Sequence, residues 1–182
     1  MKIITTLLIV CCLSLYTLAQ GASSQEITTQ TLQNIKNKVE KSIPAFKQKL
    51  IKKGFNSDQI EFSIDTFRII QIANKRMEID FSYSGMNITV SELTESYDKL
   101  LNKYYKKLLN SLKVEDKQTL ITAQRAWLAF LVAEEKFIQT MTNENYSGGG
   151  AIQSNIATGS YSDIVVKRTN ELFNYYDNIV KM

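Results

Sequence analysis

The sequence of 182 residues contains no histidine, only two cysteines and one proline, and each shortage excludes a class of function. Without histidine there is no Ser–His or Cys–His catalytic base and no imidazole ligand for a metal ion. Cys11 and Cys12 both lie in an apolar N-terminal run, so a chain processed after this run would carry no thiolate and no disulfide. We therefore predict a non-catalytic protein with no metal site and no cofactor.

Two further patterns argue against catalysis. The glycine cluster at residues 148–150 follows a predicted helix and matches no phosphate-binding or dinucleotide-binding motif. Paired carboxylates can hydrolyse a glycan, but Glu134 and Glu135 are adjacent, and adjacent side chains on a helix point about 100° apart. Hydrolysis of a cell-wall glycan is therefore the least supported function for this sequence.

The N-terminus has the pattern of an export signal. A lysine precedes a nearly uncharged apolar run over residues 3–18, and small residues follow it. Cleavage after Ala19 or after Gly21 satisfies the peptidase requirement, so we predict a signal over residues 1–19, cut no later than residue 22. A membrane anchor is the alternative, but a span takes about 20 apolar residues. We expect a secreted or periplasmic protein whose mature chain has no transmembrane span.

Positive charge is concentrated near the start of the mature chain. Between Thr28 and Gly54 there are seven lysines and a single acid, Glu40. The lysines are Lys36, Lys38, Lys41, Lys47, Lys49, Lys52 and Lys53. This helix, Lys36–Lys53, suggests a weak contact with an anionic surface, and the alternative is the solvated face of a packed helix. Nucleic acid is not an expected partner after export.

The mature chain has few helix breakers and many Lys, Glu, Gln and Leu residues, which predicts an all-α fold of about five helices. Apolar periodicity places these helices at residues 29–53, 56–81, 86–112, 116–141 and 161–180. Pro44 should kink the first helix or begin a new segment. In the second, residues 60–64 and 77–81 alternate as strands do, although helix is favoured. The third and fourth helices are joined by few residues, which predicts an antiparallel hairpin.

An ordered set of motifs follows Met86. The motifs are Leu101-Asn102-Lys103-Tyr104-Tyr105, Ala123-Gln124-Arg125-Ala126-Trp127, the cluster Gly148-Gly149-Gly150, and Arg168-Thr169-Asn170-Glu171-Leu172. In this order and spacing, from Met86 to about Tyr176, the chain resembles the LprI-like domain family, one branch of which is named for inhibiting lysozyme. The resemblance implies an LprI-like helical domain over residues 86–182, preceded by a helical extension over residues 20–85.

The resemblance also implies an exported bacterial protein that acts by binding a protein partner, lysozyme or another cell-wall lytic enzyme. The alternative is an envelope interaction or structural module without inhibitory activity. Family members usually carry paired cysteines, and Thr89, Glu135 and Ser160 stand in their places here. Losing such a bridge costs about 2–5 kcal/mol, so packing alone must hold this fold. Many lysozymes are basic, so inhibition by a basic chain requires a local acidic or polar patch.

The motif residues have predicted structural roles. Tyr104 and Leu172 belong to the helices that carry the motifs. Asn102 and Gln124 should form hydrogen bonds across the hairpin, and Trp127 should anchor the core. Glu134 falls on an apolar face and needs a partner, for which Arg168 is the candidate.

The predicted contact surface is the long polar loop before the last helix, residues 143–158. It contains Asn145, Tyr146, Gly148, Gly149 and Gly150. Long loops without secondary structure in small domains are often functional. The alternative is a mobile loop that contacts no partner.

Overall fold

The computed structural model describes residues 23–180, and within that range it contains helices and no strand, which confirms the all-α prediction. The helices are α1 (Thr29–Lys52), α2 (Ser57–Met77), α3 (Tyr83–Ser111), α4 (Val114–Met141), α5 (Glu144–Ser147) and α6 (Ile152–Val180). The predicted export signal, residues 1–19, lies outside the described residues. Among the helices from residue 23 onward, none combines the length and hydrophobicity that a bilayer span requires.

Side-chain caps set the starts of the first two helices. The Thr28 hydroxyl accepts a hydrogen bond from the amide of Thr31 at 3.1 Å. Asn56 and Gln59 form a reciprocal capping box at 2.8 and 3.1 Å. This box begins α2 and decides the helix-or-strand alternative in favour of helix over Ser57–Met77. Helix α1 continues through Pro44, which therefore begins no new segment.

Helices α3 and α6 form the centre of the fold and run parallel. Asn87 donates to Ser154 at 2.8 Å near their N-terminal ends, and Thr169 donates to the Tyr97 carbonyl at 3.2 Å further along. Small side chains at this interface, including fully buried Thr169, allow the two backbones to approach closely. The sequence predicted α4 as the close neighbour of α3; α6 takes that place, and α4 packs mainly on α6.

An aromatic cluster connects α2 to the α3–α6 pair. The Phe62 ring stacks on Phe173, with centroids 3.9 Å apart and planes 2° from parallel. Both rings meet Tyr104 edge-on at 5.1 Å, and the Tyr104 side chain is fully buried. Burial raises the pKa of the Tyr104 phenol. The N-terminal extension therefore contributes to the same hydrophobic core as the helices that follow it.

A ladder of ion pairs lies beside this cluster and joins the same helices. Lys107 of α3 contacts Asp58 at 2.8 Å and Glu61 at 2.5 Å on α2. Lys103, one turn earlier, contacts Glu61 at 2.9 Å and Asp65 at 2.6 Å. The acids recur at three- and four-residue spacing, which puts them on one face of α2 and opposite the lysines.

We expect this ladder to make stability depend on pH at both extremes. Hydrogen bonding from Lys107 holds the pKa of Glu61 below its ordinary 4.5. The contribution of ionised Glu61 to the free energy of unfolding is therefore complete above pH 4.5 and is lost as the pH falls through the lowered pKa. Although burial opposes the change, bonds to the acids raise the pKa of Lys103 and Lys107 above 10.5. Their contribution is complete below that pH and is lost at higher pH. Urea unfolding measured across pH should show the free energy of unfolding fall by about 1 kcal/mol in acid and by about as much in alkali. Glu61→Gln should reduce the fall in acid.

The glycine-rich connection is shorter than predicted. Helix α5 occupies residues 144–147, and α6 begins at Ile152 rather than near residue 161. Gly148, Gly149 and Gly150 have φ values of 78°, 79° and 95°, in the left-handed region that favours glycine. Three successive residues of this kind reverse the chain within a few residues and leave the rest of the predicted loop free to be helical.

Candidate functional site

A cleft of about 430 Å³ opens between α3 and the first half of α6, and we call it the acidic cleft. It is lined by Ser91, Thr94, Glu95, Asp98 and Lys99 of α3 and by Thr158, Tyr161 and Val165 of α6. Glu95 and Asp98 are exposed and lie one helical turn apart, so both carboxylates belong to one face of α3. Buried Val165 contributes to the apolar part of the lining.

Tyr161 lies between this cleft and a second hollow of about 180 Å³ on the α4 side, where Glu135 and Ile138 contribute. Burial, reinforced by the charges of Glu135 and Asp98, raises the pKa of the Tyr161 phenol. Among the described residues that line the two hollows, three carboxylates stand against one ammonium, that of Lys99. The region is therefore a negative patch on a chain that is basic overall.

The carboxylates of the acidic cleft suit binding better than hydrolysis. A glycosidase keeps one carboxylic acid protonated by burying it, whereas Glu95 and Asp98 are exposed to solvent. Asp98 is oriented by Asn102, whose amide donates to its carboxylate at 3.1 Å. Charged acids held on a fixed helix face attract cationic groups. Within residues 23–180, no group of metal-ligating side chains is arranged to hold an ion.

A second cluster joins α4 to α6. The Arg168 guanidinium donates to the Gln124 side-chain oxygen at 3.1 and 3.0 Å and contacts Glu171 at 3.2 Å. The same guanidinium lies 5.9 Å from the centre of the Trp127 ring. Gln124 is buried, so its hydrogen bonds fix how α4 docks on α6.

Comparison with known proteins identifies the segment that holds both the cleft and this cluster. A family model described as lysozyme inhibitor LprI matches residues 80–172, just over half of the chain. The chain belongs to the LprI family. No curated protein matches it, and no solved structure does. The acidic cleft, Tyr161 and the Arg168 cluster all lie within the LprI segment, and helices α1 and α2 precede it.

The LprI motif residues have two predicted contacts that the structure corrects. Arg168 bonds to Gln124 and Glu171 instead of Glu134, which is only half-buried and does not require a charged partner. Asn102 bonds to Asp98 one turn back on α3 and not across to Gln124. Glu134 lies ten residues beyond Gln124, roughly 15 Å further along α4, so the packing of α4 on α6 brings Gln124 and not Glu134 to Arg168. Asn102 does not reach Gln124 because α6, rather than α4, lies against α3. Tyr104 and Leu172 are fully buried in the core, and Trp127 packs against it.

The predicted contact residues lie within the LprI segment, immediately before α6. Asn145 and Tyr146 belong to α5, and the Tyr146 side chain is 68% exposed. Thr158 of the acidic cleft is six residues into α6, or roughly 9 Å along its axis. The cleft and the glycine-rich connection are therefore at the same end of α6.

Sequence reasoning missed the cleft residues Glu95, Asp98 and Tyr161. The two acids are spaced for one helix face, which was a readable signal. Apolar periodicity predicts that a helix begins at Tyr161, but no local pattern indicates that this helix runs parallel to α3. Glu135 enters the sequence analysis as a neighbour of Glu134 and as a position where LprI relatives carry cysteine, and not as a residue of a binding site.

The Arg168 cluster leads to a stability prediction for the LprI segment. Gln124→Leu removes the buried side-chain oxygen that accepts two hydrogen bonds from Arg168, and we expect the free energy of unfolding to fall by about 1–3 kcal/mol. Glu134→Gln, at a half-buried position nearly three turns further along α4, should change the free energy of unfolding by less than about 0.5 kcal/mol. Chemical denaturation of the two variants tests this, and equal effects would contradict the assigned partner of Arg168.

Proposed function

We propose that this protein inhibits a lysozyme-type cell-wall hydrolase by binding a cationic part of the enzyme at the acidic cleft. The observation that carries the proposal is the grouping of three carboxylates around Tyr161, inside the segment that matches the lysozyme-inhibitor family. The family match supplies the class of partner. The charge of the cleft supplies the means of attraction.

The cleft has the chemistry to accept a lysine or arginine side chain. Glu95 and Asp98 provide acceptors on α3, and Glu135 provides negative charge across Tyr161. The Tyr161 ring offers a face on which a guanidinium or ammonium group can rest. Because many lysozymes are basic, this local patch gives the steering that the net charge of the chain does not.

The glycine-rich connection is proposed as a second contact. Tyr146 is a largely exposed aromatic side chain beside Gly148, Gly149 and Gly150, at the same end of α6 as the cleft. Exposed tyrosines contribute large contact areas at protein interfaces at low conformational cost. We also propose that the protein acts after export, outside the cytoplasm, where cell-wall hydrolases meet their substrate.

The experiment is a lysozyme turnover assay with purified protein and a soluble, uncharged chito-oligosaccharide as substrate. A neutral substrate matters because the lysine-rich α1 would otherwise sequester anionic cell-wall fragments and imitate inhibition. Inhibition should saturate with inhibitor concentration and weaken as salt is raised, since screening shortens the reach of exposed charges to below about 10 Å. Full enzyme activity at high molar excess of the protein would refute the proposal.

A further inference from the structure

The outer side of α1 carries a row of lysines. Lys38, Lys41, Lys49 and Lys52 are spaced i, i+3, i+11 and i+14, which places them along one side of the helix over roughly 20 Å. All four are exposed, whereas Ile35, Val39 and Leu50 form the buried stripe of α1. We call these four residues the lysine ridge.

The charge of α1 is unbalanced. Its single acid, Glu40, is already bonded to Arg68 of α2, at 2.5 and 3.3 Å. Within the described residues, no lysine of α1 takes part in an ion pair, in contrast to the α3 lysines that join the ladder to α2. The helix therefore presents positive charge that the described part of the protein does not neutralise.

Two exposed apolar side chains lie at the C-terminal end of this ridge. Ile51 and Phe55 are 46% and 39% exposed, and lysines at 52 and 53 separate them in sequence. The Phe55 amide bonds to the Leu50 carbonyl at 3.2 Å, and the Gly54 amide bonds to the Ile51 carbonyl at 2.9 Å. With Gly54 at φ 79°, this is a Schellman end, which fixes the position of Phe55.

We propose that the lysine ridge, with Ile51 and Phe55, is a docking surface for anionic phospholipid bilayers. Lysines near a negatively charged bilayer are attracted within about a Debye length, and each strengthens binding roughly fivefold. Apolar side chains at the end of such a row of lysines can enter the headgroup region, which a soluble anionic polymer does not offer. The exposed apolar pair is what favours a lipid surface over such a polymer. The ridge is on α1, outside the LprI segment, so docking is separate from inhibition.

The test is co-sedimentation of the purified protein with phosphatidylcholine vesicles, with and without phosphatidylglycerol. The apolar run at residues 3–18 would bind both vesicles alike, so only the difference between them reports on the ridge. The ridge variant carries Lys38→Gln, Lys41→Gln, Lys49→Gln and Lys52→Gln. A control variant of equal charge carries Lys106→Gln, Lys113→Gln, Lys136→Gln and Lys167→Gln, four exposed lysines outside α1.

The ridge variant should lose more than about 100-fold of its affinity for the anionic vesicles, and the control variant less than about fivefold. Ile51→Ser with Phe55→Ser should weaken vesicle binding and leave binding to soluble polyphosphate unchanged. Equal losses in the ridge and control variants would overturn the proposal, because binding would then follow net charge alone. Unchanged vesicle affinity in the Ile51→Ser, Phe55→Ser variant would also overturn the proposal, because the ridge would then be a surface for polyanions in general.

Discussion

Replacing Phe62 by alanine lowers the free energy of unfolding by about 3–5 kcal/mol, the range expected for removing a buried ring from a packed core. The Phe62 ring stacks on Phe173 of α6 at 3.9 Å and meets Tyr104 of α3 edge-on. Truncation removes both aromatic contacts and leaves a cavity between three helices. A loss of this size is a large part of the stability of a small domain.

The same variant tests whether the extension is a separate unit. Because Phe62 lies in the core shared by α2, α3 and α6, we expect one cooperative unfolding transition, displaced as a whole to lower denaturant. Phe130→Ala is the matched control, since that ring is 50% exposed and its loss should cost less than about 1 kcal/mol. A two-step transition, with only the first step displaced, would show that the N-terminal helices fold on their own.

Local signals in the sequence predicted much of this fold. The start of α2 depends on Asn56 and Gln59, which are three residues apart and bond to each other, so the cap can be read without knowing any other contact. The apolar stripe of α1 was visible for the same reason, because Ile35, Val39 and Leu50 recur at helical spacing. Such features depend only on neighbours within a few turns.

The neighbour of α3 could not be predicted in this way. The connection after α3 has only a few residues, which suggests that α4 packs beside α3. A short connection limits which helices can be neighbours, but it does not decide which of them pack together. Part of the choice is made by Thr169, whose small, fully buried side chain donates to the Tyr97 carbonyl and lets α6 approach α3. The sequence shows where the side chains are small. Whether a small side chain permits close packing depends on which helix faces it.

The predicted partner of Arg168 is Glu134, whereas the packing of α4 on α6 brings Arg168 to Gln124. The packing of α6 on α3 decides where the candidate site lies. The acidic cleft exists only because Tyr161 stands beside Glu95 and Asp98, and this placement follows from the parallel α3–α6 pair. The glycine cluster, read as part of a long loop, instead makes a compact turn from which α6 starts early.

Reversing the charge of the acidic cleft is expected to raise the inhibition constant for lysozyme by more than 100-fold, or about 2.7 kcal/mol. The variant is Glu95→Lys with Asp98→Lys. It replaces two acceptors by two cations that repel a basic partner, and like charges across an interface cost several kcal/mol. Both side chains are exposed on α3, so the fold should tolerate the change, and a thermal melt verifies it.

The control must carry the same net charge, because the reversal also makes the protein more basic and slows its encounter with a basic enzyme. Glu115→Lys with Asp163→Lys meets this need, since both acids are exposed and neither lines the cleft. If long-range repulsion alone acted, the two variants would weaken inhibition equally, and raising the salt concentration would restore both. Loss of inhibition confined to the cleft variant, and persisting at high salt, requires direct contact between the enzyme and Glu95 or Asp98. Undiminished inhibition by the cleft variant would exclude the acidic cleft and leave the exposed Tyr146 and its neighbouring glycines as the binding surface to examine.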